Sequence, residues 1–247
     1  MDDLDPLMQS WPFEPGPMKA RTIQGSDGRE KIQLRLDLGI LQMESAGRPD
    51  GQRPFGCESL LDHYEKIARR FEKEDQTRSF KLTMEDCLKL QQEGIQYYHR
   101  YLAFFQLHNL EGVIQDTRRN LRLFDFVSHY CERPEMVTMF QQFRPYVVMM
   151  RTRAQGGIAL DAKDYVLAIR HVQAGIQEIR GFLAEHFPPD WSEHCAELQF
   201  LENWLEEIRK EQPLTPREKL HQQMLKAIEQ EDYERAARLR DALRELE

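Results

Sequence analysis

The side chains best suited to chemistry are few and scattered along the 247 residues. His186, His194 and Cys195 lie close in sequence and carry nitrogen and sulfur donors of the kind zinc takes. His194 and Cys195 are neighbours, however, and on a helix adjacent side chains diverge by about 100°. No fourth ligand accompanies them, so we read surface histidines and a packed thiol. The four cysteines, Cys57, Cys87, Cys131 and Cys195, form no CxxC pair and read as reduced thiols. No GxxxxGK[ST] phosphate loop is present. We therefore expect a chain that is not an enzyme and needs neither metal nor cofactor.

Arg118, Arg119 and Arg122 are the strongest candidates for gripping phosphate, and Arg118 and Arg122 share a helix side if the segment is helical. The net charge is −8, which opposes a protein that coats nucleic acid. We read a solvated helix face or ion pairs, with a DNA-binding repair accessory using this basic face as the alternative. The loop GRPDG at 47–51 is expected to expose Arg48 and Asp50. It reads as a turn that uses Asp and Gly for backbone reasons, with anion binding as its functional alternative.

These groups need elements to hold them. Residues 1–18 are rich in Pro and acid and read as a tail or strap, with Trp11 and Phe13 its bulky anchors. Residues 19–56 read as a β-hairpin and loop. GSDG supplies the turn, and Ile32, Leu34, Leu36, Leu38 and Ile40 alternate with polar residues and glycine along one strand. Residues 57–210 read as a helical bundle. Leu60, Leu61, Tyr64, Ile67, Ala68 and Phe71 mark its first helix, and TMED at 83–86 forms a capping box. The next helix has an expected stripe of Met84, Leu88, Ile95, Tyr98, Leu102 and Phe105, and a partner helix follows the break at HN. QGG at 155–157 is expected to end a Met-rich segment, with Asp161 capping the long helix after it. FPPDW stops that helix, and Leu198, Leu201, Leu205 and Ile208 mark another.

The tail, 214–247, reads as two short helices. Thr215, Pro216 and Glu218 open the first with a capping box. Leu220, Met224, Ala227 and Ile228 form its apolar face, and QED at 230–232 breaks it, with Asp232 positioned to cap the second. There Tyr233, Ala236, Ala237, Leu239, Leu243 and Leu246 supply the apolar side. Paired alanines let two backbones approach closely, and Tyr233 is expected to fold over the seam. Helices of about 14 residues are marginal alone and need a partner surface.

The stretch REKLHQQMLKAIEQEDYERAARLRDALREL resembles the UvrB/UvrC motif, or UVR domain, through its spaced Leu and Met, the acidic turn before an aromatic, the paired alanines, and LRD with a closing Leu. The body resembles a bacterial group that carries this motif at its C-terminus. The resemblance implies a contact module of the kind found in excision-repair subunits and in Clp ATPases and their adaptors. With seven bases against eight acids, the tail has a net charge of −1 and an interleaved surface that suits protein docking. It implies docking by Leu220, Met224, Ile228, Tyr233, Ala236, Ala237, Leu239 and Leu243, with Arg240 and Asp241 fixing register by paired charges.

The expected fold is mainly α: a helical bundle with a small N-terminal β-hairpin and a C-terminal αα-hairpin, the UVR motif. The expected function is non-catalytic, an adaptor or accessory in excision repair or Clp-type proteolysis. Its partner would be a UVR-bearing or Clp/Uvr-type protein, or a second copy of the chain. No run of about 18 apolar residues occurs and the acidic N-terminus lacks a signal-peptide pattern, so the expected location is the cytoplasm.

Overall fold

A computed structural model describes residues 4–74, 80–188, 190–213 and 216–244. The chain divides into two compact units, 1–205 and 206–247. The capping box expected at Thr215–Glu218, and Leu246, lie outside the described residues or side chains.

In the first unit a short helix α1 (Asp5–Ser10) precedes strands β1 (Lys19–Gln24), β2 (Glu30–Leu36) and β3 (Gly39–Glu44). They form one antiparallel sheet in the order β1-β2-β3. The GSDG turn closes as expected: Asp27 Oδ1 accepts from the Arg29 N–H at 3.1 Å and Gly28 adopts φ +74°. The alternating run beyond it is not one strand. It reverses at Asp37-Leu38, leaving Leu38 92% exposed at the tip of a second hairpin. Period-two patterning cannot see a two-residue reversal that preserves the alternation on both sides.

Central β2 is covered on both faces, which a lone hairpin would not allow. Ile32 and Leu34 are buried, and β1 and β2 pack on helix α3 (Met84–Gln106). Gln33 and Arg35, on the opposite side, are buried as well. There Arg35 Nε donates to the Trp11 carbonyl at 2.7 Å, the Arg21 guanidinium lies 4.1 Å from the Trp11 ring centroid, and Arg35 lies 5.7 Å from that of Phe13. The Pro-rich N-terminal segment is laid on the sheet by these two cation–π contacts.

Helices α2 (Leu60–Glu74), α3, α4 (Leu110–Tyr130), α5 (Pro134–Gln141), α6 (Arg144–Asp161), α7 (Tyr165–His186), α8 (Trp191–His194) and α9 (Ala196–Glu211) follow. The pairs α3–α4, α4–α6 and α6–α7 carry most of the packing. Thr83 and Asp86 form the expected capping box, and Tyr64 adds a hydrogen bond to Asp86 at 2.5 Å. The expected stripe of α3 is a correction. Met84, Leu88 and Ile95 are exposed, whereas Cys87, Leu90, Tyr97, Tyr101 and Phe104 face the core together with Glu93 and Arg100.

QGG does not end a helix; α6 runs through it to Asp161. A Cβ on Gly156 would stand 2.6 Å from Trp204 Cη2, so the glycine makes room for an indole. The cap of α7 is Asp164, which accepts from the Leu167 N–H at 2.9 Å, not Asp161. Of Tyr165, Ile169, Val172, Ile176, Ile179 and Leu183, expected at helical spacing along this helix, the last four are buried and Tyr165 and Ile169 half-buried. Leu198, Leu201, Leu205 and Ile208 are buried as expected.

One corner recurs. At His108-Asn109 and at Lys163-Asp164, a residue with φ near +57° ends one helix, and its Asx neighbour caps the next. The Asx N–H also reaches back to a carbonyl five residues earlier, at 2.9 Å for Asn109 to Phe104 and 2.8 Å for Asp164 to Ala159. That bond satisfies an end group the first helix would otherwise leave open.

Candidate functional site

The second unit contains α10 (Pro216–Glu229) and α11 (Tyr233–Arg244), packed against each other. Their connection repeats the same corner. Glu231 adopts φ +59°, its N–H reaches Ile228 O at 3.0 Å, and the Asp232 N–H reaches Ala227 O at 2.8 Å. Asp232 Oδ1 then accepts from the Arg235 N–H at 3.1 Å and caps α11. Ala227 and Ala236 flank this corner and are the two fully buried positions among the hairpin's described residues. Small side chains at both places let the helices close on each other. Leu220, Met224, Ala237, Leu239 and Leu243 are half-buried along the same seam.

Residues 217–247 match the UvrB/uvrC motif. No curated protein and no solved structure matches the chain. The matched span thus covers α10 from Arg217 and all of α11. The seam between these helices is thin, and large apolar groups remain outside it. Leu225 is 46%, Ile228 45% and Tyr233 67% exposed. Leu225 and Ile228 are three apart on α10, and Tyr233 opens α11, so all three lie within nine positions around the corner. Tyr233 does not fold over the seam. Ile228, expected on the seam, is exposed as well: Ala227 takes the buried position beside it.

Arg240 donates to Asp241 Oδ1 from Nε at 3.0 Å and from Nη2 at 2.9 Å. The two charges expected to fix register across an interface are joined to each other on one helix. Arg238 pairs with Glu234 one turn before. These exposed pairs contribute little to stability.

The arginine face expected on α4 is a second correction. Arg119 is buried: it pairs with Glu93, donates to Asn120 Oδ1 at 3.0 Å, and stacks 4.2 Å from the Tyr97 ring centroid. Burial pulls its guanidinium below the ordinary value, against the field of Glu93. Arg122 is bound to Asp62 at 2.8 Å and Glu65 at 3.0 Å. Arg118 remains exposed, with no ion pair among the described residues. These arginines border a cleft of about 760 Å³ lined also by Arg100, Glu58, Asp62, Glu111 and Asp116. Its four arginines face four carboxylates, so no concentrated positive field meets a phosphate backbone.

Beneath that cleft lies a charged centre that periodicity did not reveal. Glu93, fully buried, accepts from the Leu60 N–H at 2.7 Å and the Leu61 N–H at 3.2 Å, capping α2 from another helix. Its carboxylate also meets Arg119 and, at 3.2 Å, Arg48 Nε. Arg48, expected to be exposed in GRPDG, is turned inward by that attraction. Arg100 grips Asp116 with two hydrogen bonds of 2.7 and 2.8 Å and donates to the Glu44 and Gly47 carbonyls at 3.1 and 2.7 Å. Burial pushes the Asp116 carboxyl up, and Arg100 opposes that shift. The network ties β3, the GRPDG loop, α2, α3 and α4 together. A signal was present in the spacing 93, 97, 100, 101, 104, which is one helix face carrying two charges among aromatics.

His186 Nδ1 lies 3.0 Å from Phe182 O, and His194 Nδ1 lies 2.9 Å from Asp190 O. Cys195 Sγ lies 3.5 Å from Glu197 Oε2. Among the described residues no group of three or more His, Cys, Asp or Glu is arranged to hold a metal ion. None of the described helices is long and apolar enough to cross a membrane.

Proposed function

We propose that this chain is a non-catalytic interaction protein that docks a protein partner through its UVR hairpin. The observation that carries the reading is the exposure of Leu225, Ile228 and Tyr233 around a corner whose buried positions, among the described residues, are the alanines Ala227 and Ala236. Covering each large apolar side chain would yield on the order of 1.5–3 kcal/mol. An exposed apolar cluster of this kind is a usual mark of a docking site. The interleaved charges of the tail favour a protein surface over a polyanion. The partner class is a UVR-bearing or Clp/Uvr-type protein or a second copy of the chain, met in the cytoplasm. An adaptor or accessory role in excision repair or Clp-type proteolysis follows from the motif's resemblance. Direct DNA binding by the α4 arginines is the weaker reading, because Arg119 and Arg122 are already neutralised by carboxylates.

Two substitutions separate docking from folding. Ile228→Asp with Tyr233→Ser leaves Ala227 and Ala236 untouched, so helicity of the tail should persist. Capture of the partner that the intact chain retains should fall at least tenfold, about 1.4 kcal/mol. Undiminished capture by this double variant would remove the assignment of the face.

A further inference from the structure

On the side of α3 that the expected stripe occupies, the first unit holds a second cleft, of about 610 Å³. Its lining includes Tyr98 and Tyr101 of α3, Phe140 of α5, Phe143 at the α5–α6 junction, Tyr146 of α6 and Glu197 of α9. The volume is that of a small-molecule site, and the wall composition, mostly apolar and aromatic with a few polar groups, is also of that kind.

The polar groups specify the ligand. Among the described residues of the wall Glu197 is the lone carboxylate, and no lysine or arginine is among them. His99 also borders the cleft, and burial holds its imidazole toward the neutral form. The wall therefore has a negative formal charge and a ring-rich surface. Tyr98 stands edge-on to Tyr101 with centroids 5.5 Å apart and 6.2 Å from Tyr146. Tyr101 is 1% exposed, so its ring backs the cleft instead of standing at the rim. Ring faces and phenol oxygens attract cations, and desolvation strengthens that attraction. Arg153, whose charge is felt at Tyr146, is held elsewhere, over Phe105 at 4.3 Å and Phe200 at 4.8 Å.

We propose that this cleft binds a small organic cation, its apolar body among the rings and its ammonium group against Glu197. Such a ligand satisfies the carboxylate, lies against the tyrosine rings, and covers apolar wall now open to water. A neutral aromatic would leave Glu197 buried beneath it without a counter-ion. A carboxylate ligand would be repelled.

The test uses the full chain and three probes that share one body: 2-(2-naphthyl)ethylamine, 2-(2-naphthyl)ethanol and 2-naphthylacetate, titrated by calorimetry. The amine should bind at least tenfold tighter than the alcohol, and the acid more weakly than either. Glu197→Gln should erase the preference for amine over alcohol while leaving alcohol binding within twofold. Phe143→Ser, at an exposed rim position, should weaken amine and alcohol alike. Equal binding of amine and alcohol, preference for the acid, unchanged amine binding in Phe143→Ser, or no binding of any probe at millimolar concentration would each overturn the proposal.

Discussion

Replacing Glu93 by alanine should destabilise the first unit by about 3–5 kcal/mol, the cost of removing one partner from a buried ion pair. The change strands more than one group. Arg119 keeps its charge without its ion-pair carboxylate, and the Leu60 and Leu61 N–H groups at the start of α2 lose their acceptor. An anion at a helix N-terminus is also favoured by the helix dipole, and that gain disappears. Arg48 loses the carboxylate that draws it inward, so the GRPDG loop should loosen as well. Trp11, Trp191 and Trp204 all belong to the first unit, so tryptophan fluorescence during urea unfolding reports that unit alone. Glu93→Gln keeps an acceptor oxygen and should cost distinctly less than Glu93→Ala. A midpoint unchanged in Glu93→Ala would mean that the buried charges are not what joins loop, α2, α3 and α4.

Gly175→Ala should destabilise by about 1–3 kcal/mol, the usual cost of overpacking. Helix propensity alone argues the reverse, since alanine gains about 1 kcal/mol over glycine inside a helix. Packing decides the sign. A Cβ at position 175 would stand 2.1 Å from Thr152 Oγ1 and 2.7 Å from its Cγ2, where α7 crosses α6. Thr152 is itself buried with a hydroxyl that has no hydrogen-bond partner among the described residues, so it cannot swing into solvent. Adding Thr152→Ala removes both of those atoms, leaves the Cβ at 2.9 Å, and should restore part of the loss. Stabilisation by Gly175→Ala, read from the same urea curves, would show that the helices part without cost.

The sequence was most legible where one rule acted alone. The Thr83–Asp86 capping box, the GSDG turn and the leucine ladder of α9 follow from local patterns, and structure and pattern agree. On α3 two apolar stripes compete. Periodicity favours Met84, Leu88 and Ile95, because the stripe that is buried carries Glu93 and Arg100 among its aromatics. A count of apolar residues penalises a face whose charges neutralise one another only after folding. QGG misleads for a related reason, since glycine can break a helix or admit a neighbour, and Trp204 lies too far along the chain to announce itself. The helix corners at His108, Lys163 and Glu231 lack the glycine usual at a left-handed position. Of their Asx neighbours the sequence pattern marks Asp232 as a cap, but it favours Asp161 over Asp164. In the UVR hairpin the motif marks the elements and the alanine seam, whereas the outward placement of Ile228 and Tyr233 depends on backbone geometry at the corner.

Hydrogen exchange on the full chain, with and without the partner it captures, tests docking at the hairpin most directly. A hairpin with two fully buried side chains among its described residues sits at the low-stability end of a structure and should exchange quickly when free. Bound partner should slow exchange by at least tenfold across residues 220–243, centred on Ile228 to Ala237, while α3, α4 and α6 stay unchanged. Protection confined to the first unit, with the hairpin exchanging as fast as before, would contradict the assignment of docking to the UVR hairpin.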